Sequence, residues 1–308
     1  MSKLYLSIVV PVYNGEGTIN KLFKEIKKFC LSKNYLFEVI FVWDCGKDNS
    51  WSVIEKLQKE NPDIVKGIHL SRNYGQHNAL ICGFEIIKGD FIITIDEDLQ
   101  HSPADIEKLI QEQLRTDADV VYGKYETQKH NKFRNVTSNI LRFLIHIGIP
   151  ELYNNYSAFR LIKAPIGKAC INMHNSYTFL DGYLSWVTGN FSSCIVSHHK
   201  RLAGKSSYTF QKLLYHSVNI FFTFSSLPLK FVNWMSFSFF LFTLIYSFYI
   251  FLEKLLFNSL IPGYASTIIM LGVGFGTILF SLSIIGQYIH RINLKTTKKP
   301  NYLIKKTI

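Results

Sequence analysis

Charge is missing from two long stretches of this 308-residue chain: none falls between Phe231 and Leu252, and none between Leu255 and Ile289. Each stretch exceeds the roughly 20 apolar residues that cross a bilayer as a helix. The first 230 residues have no such run; their charge is mixed, their apolar runs are short and turn signals recur. A boundary near residue 230 therefore separates a soluble part from a membrane part. Cysteine is scarce, odd in number and never in a CxxC pair: Cys30, Cys45, Cys82, Cys170 and Cys194. That pattern fits reduced thiols in a cytosolic domain rather than a disulfide framework or a zinc site. The N-terminus opens on a strand-like run with no basic-then-apolar leader, so no cleavable signal peptide is expected. Internal repeats and low-complexity segments are also lacking. No GxGxxG fingerprint follows the first predicted strand, which disfavours a dinucleotide-binding fold.

What the chain has in excess is positive charge, 34 Lys and Arg against 22 Asp and Glu. Nucleic acid is the first reading of such an excess, but the cations sit elsewhere. Lys200, Arg201, Lys205, Lys212 and Lys230 precede the first apolar stretch; Arg291, Lys295, Lys298, Lys299, Lys305 and Lys306 follow the second. Between the two lies only the Glu253-Lys254 pair. By the positive-inside rule both ends are cytoplasmic and the short connection is outside. Membrane lipids, not nucleic acid, are the expected partner of the charge. The expected organisation is a cytosolic domain over 1–207, an interfacial amphipathic helix over 208–230, two transmembrane helices within 231–290 (about 231–252 and 264–289) and a basic cytosolic tail over 291–308. The interfacial assignment rests on the stripe Phe210, Leu213, Leu214, Val218, Phe221 and Phe222, which begins beside basic residues and runs up to a span; core packing is the alternative.

Within the soluble part, short β-branched runs alternate with helical spacing. Strands are expected at Leu6–Val10 (stopped by Pro11), Phe37–Val42, Val65–Leu70, Phe91–Ile95, Val120–Tyr122 and Phe159–Ile162. Helices are expected at Thr18–Leu31, Ser50–Glu60, Ala79–Ile87, Pro103–Leu114, Phe133–Ile147 and Phe179–Val187. Such alternation implies right-handed crossovers and a mostly parallel sheet, with ligands beyond the carboxyl ends of the strands.

The strongest chemical signal is Phe91-Ile92-Ile93-Thr94-Ile95-Asp96-Glu97-Asp98, a buried strand that delivers three carboxylates at its carboxyl end. Adjacent acids repel unless a cation is near. Asp96 and Asp98 suit a hard divalent ion, Mg2+ or Mn2+, with a diphosphate supplying further oxygens. Alone, such a motif would read as a solvated acidic turn; its strand and the neighbouring loops turn the balance. The loop Pro11-Val12-Tyr13-Asn14-Gly15-Glu16-Gly17 has two glycines that can admit a nucleotide. In Asp44-Cys45-Gly46-Lys47-Asp48-Asn49-Ser50, Asp44 can accept hydrogen bonds from a base or ribose, while Asp48 is as readily structural and Ser50 or Asn49 caps the next helix. In Ser71–Asn78, Arg72 can balance phosphate charge or pair with an acid at the sheet edge.

The segments LSIVVPVYNGEGTI, FVWDCGKDNSW, HLSRNYGQHNAL and ITIDEDLQHSP stand in the order and spacing of the family 2 glycosyltransferases of the GT-A fold. The resemblance extends to SAFRLI at Ser157–Ile162, to the basic run Arg201–Tyr208 and to the ending Ile285-Gly286-Gln287-Tyr288-Ile289-His290-Arg291, so it covers nearly the whole chain. The continuation through Gln100 and Pro103 is similar to the polyprenyl-phosphate glycosyltransferases, which include dolichyl-phosphate mannose synthase and the bacterial enzymes that load undecaprenyl phosphate with a sugar. This resemblance implies metal binding by Asp96, Asp98 and Gln100, nucleotide contacts from Pro11, Tyr13, Asn14, Glu16 and Asp44, and an approach of Arg201, Lys205 and Ser206 to the lipid phosphate. It also implies a homo-oligomer in the bacterial inner membrane. The chain departs from the pattern at Trp43, where the family has an acid. It departs again at Tyr125, where an Arg is usual, so that Lys124 or Arg134 takes over the phosphate-balancing charge. At Asn155 an acid is usual.

The expected reaction is inverting transfer of a sugar from a nucleotide donor, UDP-linked rather than GDP-linked by analogy, to a polyprenyl phosphate for surface-glycan assembly or modification. A phosphate monoester is largely ionised already, with a second pKa of about 6, and needs no strong base, so Asn155 costs little. Alignment of two anions and neutralisation of the leaving diphosphate are the demands. The competing reading is transfer to a sugar hydroxyl of a lipid-linked oligosaccharide, which needs a base; Asp181 is the candidate. A processive synthase is disfavoured because QxxRW is absent. A transporter is disfavoured because two spans without a buried charge offer no substrate path, and an inactive scaffold by the intact Asp96/Asp98 pair.

Overall fold

A computed structural model describes residues 3–125, 152–173, 177–197, 227–257, 263–296 and 300–308, with single positions at 219, 223 and 225. In chain order these form β1 (Tyr5–Val12), α1 (Ile19–Ser32), β2 (Leu36–Trp43), α2 (Ser50–Glu60), β3 (Val65–Leu70), α3 (Gln76–Phe84) and β4 (Phe91–Thr94). A 3-10 turn at Pro103–Asp105 then leads into α4 (Ile106–Thr116), followed by β5 (Val120–Tyr125), β6 (Arg160–Lys163), α5 (Ala164–Ile171), α6 (Leu180–Val187) and β7 (Phe191–Val196). Two long helices, α7 (Leu227–Phe257) and α8 (Tyr264–Thr296), precede a last strand, β8 (Ile304–Thr307).

The expected α/β architecture is present. One sheet runs β7-β5-β6-β4-β1-β2-β3-β8. β4, β1, β2 and β3 are mutually parallel, whereas β6 and β8 run antiparallel to their neighbours. Alternate side chains of the central strands feed two cores. Leu6, Ile8, Val10 and Val12 of β1 pack with Ile19, Leu22 and Ile26 of α1, Ile54 of α2 and Leu109 of α4. Val9, Ile40, Val42 and Ile92 pack on the other face against α3, Cys170 of α5 and Leu180, Tyr183 and Leu184 of α6. A sheet buried on both faces explains why its central strands read as unbroken apolar runs.

Several expectations need correction. β1 does not stop at Pro11 but continues to Val12, with Pro11 opposite Val42. The Val9 carbonyl accepts from Ile95 on the β4 side and the Val12 carbonyl accepts from Asp44 on the β2 side. Alternation therefore turns Pro11 toward β4, whose pairing has ended at Val9↔Thr94, and its missing N–H breaks no ladder bond. α3 starts three residues earlier than expected, after Gly75 at φ 89°, so the polar run Gln76-His77-Asn78 is its first turn. β7, α5 and β8 were not foreseen. The basic tail is not wholly a tail: Ile304–Thr307 pairs antiparallel with β3. The expected helices at Phe133–Ile147 and across most of Phe210–Phe224 lie outside the described residues.

α7 and α8 cover both stretches expected to span a membrane, and many of their apolar side chains are exposed, among them Phe231, Trp234, Phe237, Phe275, Leu279 and Ile289. Among the described residues one segment, Met270–His290 in α8, is long and apolar enough to cross a membrane by length and composition.

Candidate active site

Because β1, β2, β3 and β4 are parallel, the loops after Val12, Trp43, Leu70 and Thr94 converge on one edge of the sheet. The acidic motif enters it from β4. Ile95 N–H still donates to Val9 at 3.3 Å, so Asp96 is the first residue past the ladder. Leu99 takes a left-handed φ of 60° and turns the chain back, which lets the Gln100 N–H donate to Asp98 Oδ1 at 3.1 Å. Asp98 is buried. Gln76 Nε2, from the first turn of α3, donates to Asp96 Oδ1 at 2.6 Å.

Glu97 does something different from its neighbours. It leans toward the first loop, where Tyr13 N–H approaches its Oε1 at 3.4 Å. A Cβ on Gly15 would come within 2.9 Å of Glu97 Cγ, so a glycine is needed for this approach. Burial first, and the Asp96 charge second, push Glu97 up to about 8.

The first two loops are stapled together. Asn14 Oδ1 accepts from Lys47 N–H at 2.8 Å, Gly15 N–H donates to Ser50 Oγ at 2.9 Å, and Glu16 Oε2 accepts from Asn49 N–H at 3.1 Å. Asp48 accepts from Glu16 N–H and from the Ser50 hydroxyl, at 2.9 and 2.7 Å. Asp48 is thus structural, and it serves the start of α2 in place of a side-chain cap from Asn49. Asn14 and Glu16 engage the neighbouring loop, while Tyr13 stays exposed.

Asp44 is buried, and its carboxylate accepts Tyr74 N–H at 2.6 Å and Gly75 N–H at 2.8 Å. Burial pushes it up to about 6 against the pull of those two amides. Arg72 lies over the Tyr74 ring, 4.7 Å from its centroid, rather than against a sheet-edge acid. Lys124 follows on β5. The Tyr125 hydroxyl meets His101 Nε2 at 2.7 Å, and the buried His101 ring stacks between Tyr125 and Phe159. His101 was missed in the sequence reading; its nearness to the acidic motif was the only signal.

Asp181 is the candidate base of the hydroxyl-acceptor reading. It is 3 % exposed, lies 3.0 Å from the equally buried Arg160 and accepts the Tyr122 hydroxyl at 2.9 Å. The Arg160 contact is ionic by proximity rather than an aligned hydrogen bond; the guanidinium Nε donates to Ser157 O at 2.9 Å. In this arrangement the carboxylate faces a cation among the side chains of the second core. Arg134, Arg201, Lys205 and Ser206 lie outside the described residues.

Among the described residues no three His, Cys, Asp or Glu side chains form a metal cage. Asp96 and Asp98 offer hard oxygen donors and leave the remaining positions to a ligand. That donor set fits Mg2+ or Mn2+ bound through substrate phosphates.

The model of glycosyl transferase family 2 matches residues 7–175. A prophage bactoprenol glucosyl transferase homolog of Escherichia coli (strain K12) is 28% identical over 304 residues, 98% of each chain. The undecaprenyl-phosphate 4-deoxy-4-formamido-L-arabinose transferase of Shewanella sediminis (strain HAW-EB3) is 27% identical over 98% of this chain and 92% of its own. Among solved structures, glucosyl-3-phosphoglycerate synthase from Mycobacterium tuberculosis, in complex with Mn2+, UDP-glucose and phosphoglyceric acid, superposes with a TM-score of 0.51 at 17% identity, over 72% of this chain and 78% of that one. The fold is GT-A-like.

Proposed function

The chain belongs to glycosyl transferase family 2, and from that premise we propose that it transfers a sugar, with inversion, from a nucleotide-sugar donor to a polyprenyl phosphate such as undecaprenyl phosphate at the cytoplasmic membrane face. The observation that carries this reading is the Asp96/Asp98 pair at the carboxyl edge of a GT-A-like sheet, in a chain whose likeness to a bactoprenol glucosyl transferase homolog runs over 98% of both lengths. It is a likeness that continues past the catalytic domain into the apolar helices.

Asp96 and Asp98, with Gln100 beside them, would hold the divalent cation. When bound, that cation neutralises the charge developing on the leaving diphosphate. The chain's own residues do the rest by orientation. Gln76 fixes the Asp96 carboxylate, and Tyr13, Pro11 and Asp44 face the donor from β1 and β2. Arg72, Lys124 and Arg134 balance phosphate charge, and Arg201, Lys205 and Ser206 meet the acceptor phosphate. An ionised phosphate oxygen attacks the anomeric carbon as the bond to the diphosphate breaks, with no proton to remove. The burial of Asp181 favours this acceptor over a sugar hydroxyl, because the hydroxyl reading loses its candidate base. A UDP-linked donor and a homo-oligomer follow from family analogy.

Two membrane spans are part of the proposal, and topology supports them. β7 and β8 belong to one sheet, so the chain between Val196 and Ile304 leaves from and returns to one side of any membrane. A crossing by Met270–His290 therefore requires a second crossing, and α7 is the helix available for it. The test is transfer of radiolabel from nucleotide sugars to undecaprenyl phosphate in membranes. Wild type should give an acid-labile lipid product, with Asp96→Ala and Asp98→Ala inactive yet folded. Full activity in either variant refutes the metal reading, and label confined to an oligosaccharide refutes the acceptor.

A further inference from the structure

The residues after α8 return to the catalytic domain and are fastened there at many points. Ile308 exchanges both backbone hydrogen bonds with Gly67, at 2.9 and 3.0 Å. A Cβ on Gly67 would come within 2.8 Å of Ile308 Cγ1, so the last side chain sits directly on β3. Lys306 Nζ reaches Glu55 of α2 at 2.7 Å, the Tyr302 hydroxyl reaches Glu85 just after α3 at 2.5 Å, and Asn301 Nδ2 donates to Met173 O at 3.2 Å. At the carboxyl edge of the sheet, Leu303 O accepts the Ser71 N–H at 2.8 Å.

Ser71 opens the β3–α3 loop, and that loop is the strut of the candidate site. Within six residues it carries the bond to Leu303, the Tyr74 and Gly75 amides on Asp44, and the Gln76 amide on Asp96. Three elements distant in sequence meet on it: the C-terminal strand, the end of β2 and the end of β4. An amide bond to a carboxylate is charge-assisted and directional, and a ligand carboxylate binds a cation well only when its own rotamer is held.

We propose that the C-terminal strand is a positioning element for the donor site, acting through Gln76: Leu303 anchors the loop at Ser71, and Gln76 at its far end sets the Asp96 carboxylate. Gln76 is then a positioning residue rather than a catalytic one, and the segment that follows the membrane helix tunes cation and nucleotide binding. The inference rests on the metal-ligand reading of Asp96 and Asp98.

The test is a double-variant cycle on the full chain in detergent, reading the affinity for Mn2+ with UDP, and separately with GDP, by calorimetry. Gln76→Ala loses one charge-assisted bond and should weaken binding roughly tenfold. A chain ending at Tyr302 should weaken it by a similar factor and speed hydrogen exchange at the Tyr74 and Gly75 amides. The combined variant should bind no more weakly than the truncated chain, because both act through one contact. Losses that multiply to roughly a hundredfold, or unchanged exchange at those amides, overturn the proposal. If the truncated chain melts early, Ser71→Pro, which removes the N–H that Leu303 O accepts, takes its place in the same cycle, with the same non-additivity expected and the same multiplication refuting. Asp96→Ala runs alongside: unaltered Mn2+–nucleotide binding in that variant sinks the site reading itself, whereas an additive cycle with Asp96→Ala impaired sinks only the strand coupling.

Discussion

Asp181→Asn separates a structural carboxylate from a catalytic one. Arg160, Asp181 and Tyr122 are each no more than 3 % exposed. Breaking a buried ion pair by removing one partner costs about 3–5 kcal/mol, because the remaining charge is left uncompensated. Asn keeps an oxygen for the Tyr122 hydroxyl, so the lower figure applies, about 3 kcal/mol. For a domain of this size each kcal/mol moves the midpoint by roughly 2–4 °C, giving a drop of about 6–12 °C. The assay pairs thermal unfolding at a fixed scan rate with transfer activity well below the midpoint. Asp181→Asn should melt early yet turn over at a near-normal rate in the cold. Arg160→Met added to Asp181→Asn should recover most of the lost stability, since it removes the orphaned cation while leaving position 181 unchanged. An Asp181→Asn protein that melts within about 1 °C of wild type but has lost transfer would refute the reasoning and restore Asp181 as a base.

Asp44, pushed up to about 6 by burial, holds its proton more tightly folded than unfolded. The stability of wild type relative to Asp44→Asn should therefore fall as pH rises from about 4 to about 6, by at most about 3 kcal/mol, and stay level above that; a difference that grows with pH contradicts the burial. Gly83→Ala would place a Cβ 2.4 Å from Val9 Cγ1, so chemical denaturation should show a loss of about 1–3 kcal/mol, partly relieved by Val9→Ala. Cys30, Cys82 and Cys170 are buried, with their thiols pushed up to about 12 by burial, and Cys194 is pushed to about 11. Mass mapping after brief alkylation of the native protein should find Cys45, half-buried in the β2–α2 loop, modified first. Mn2+ with the donor nucleotide should slow that reaction; labelling of Cys30 or Cys82 ahead of Cys45 would mean that the core is open.

The parallel strands were legible because a sheet covered on both faces forces unbroken β-branched runs, as in Leu6–Val10 and Val39–Val42. Elements whose stability comes from distant partners were not. β7 reads Phe-Ser-Ser-Cys-Ile-Val and is only half-buried along most of its length; Asp105 and Glu112 bind Ser197 N–H and the Ser192 hydroxyl beside it. α5 is a short, small-residue helix that begins at Ala164-Pro165, and nothing in its spacing distinguishes it from a turn. β8, Ile-Lys-Lys-Thr, has the composition of a solvated tail, and only pairing with β3, more than 230 residues earlier, makes it a strand.

At the site, the type of residue was legible but its partner was not. Asp44 and Asp181 are both single acids near predicted element ends, and sequence spacing assigns each a substrate-facing role. Their environments part them. Asp44 meets two backbone amides of the next loop at the carboxyl edge of the sheet. Asp181 meets a cation and a phenol inside a closed core. Trp43 shows the same rule in reverse. The sequence records it as a lost acid, yet in the fold its ring packs against Trp51 and His69, with Lys306 of β8 over Trp51. A carboxylate at position 43 would stand beside the aromatic cluster that the C-terminal strand covers. The aromatic surface at the end of β2 thus gives the returning strand something to pack on.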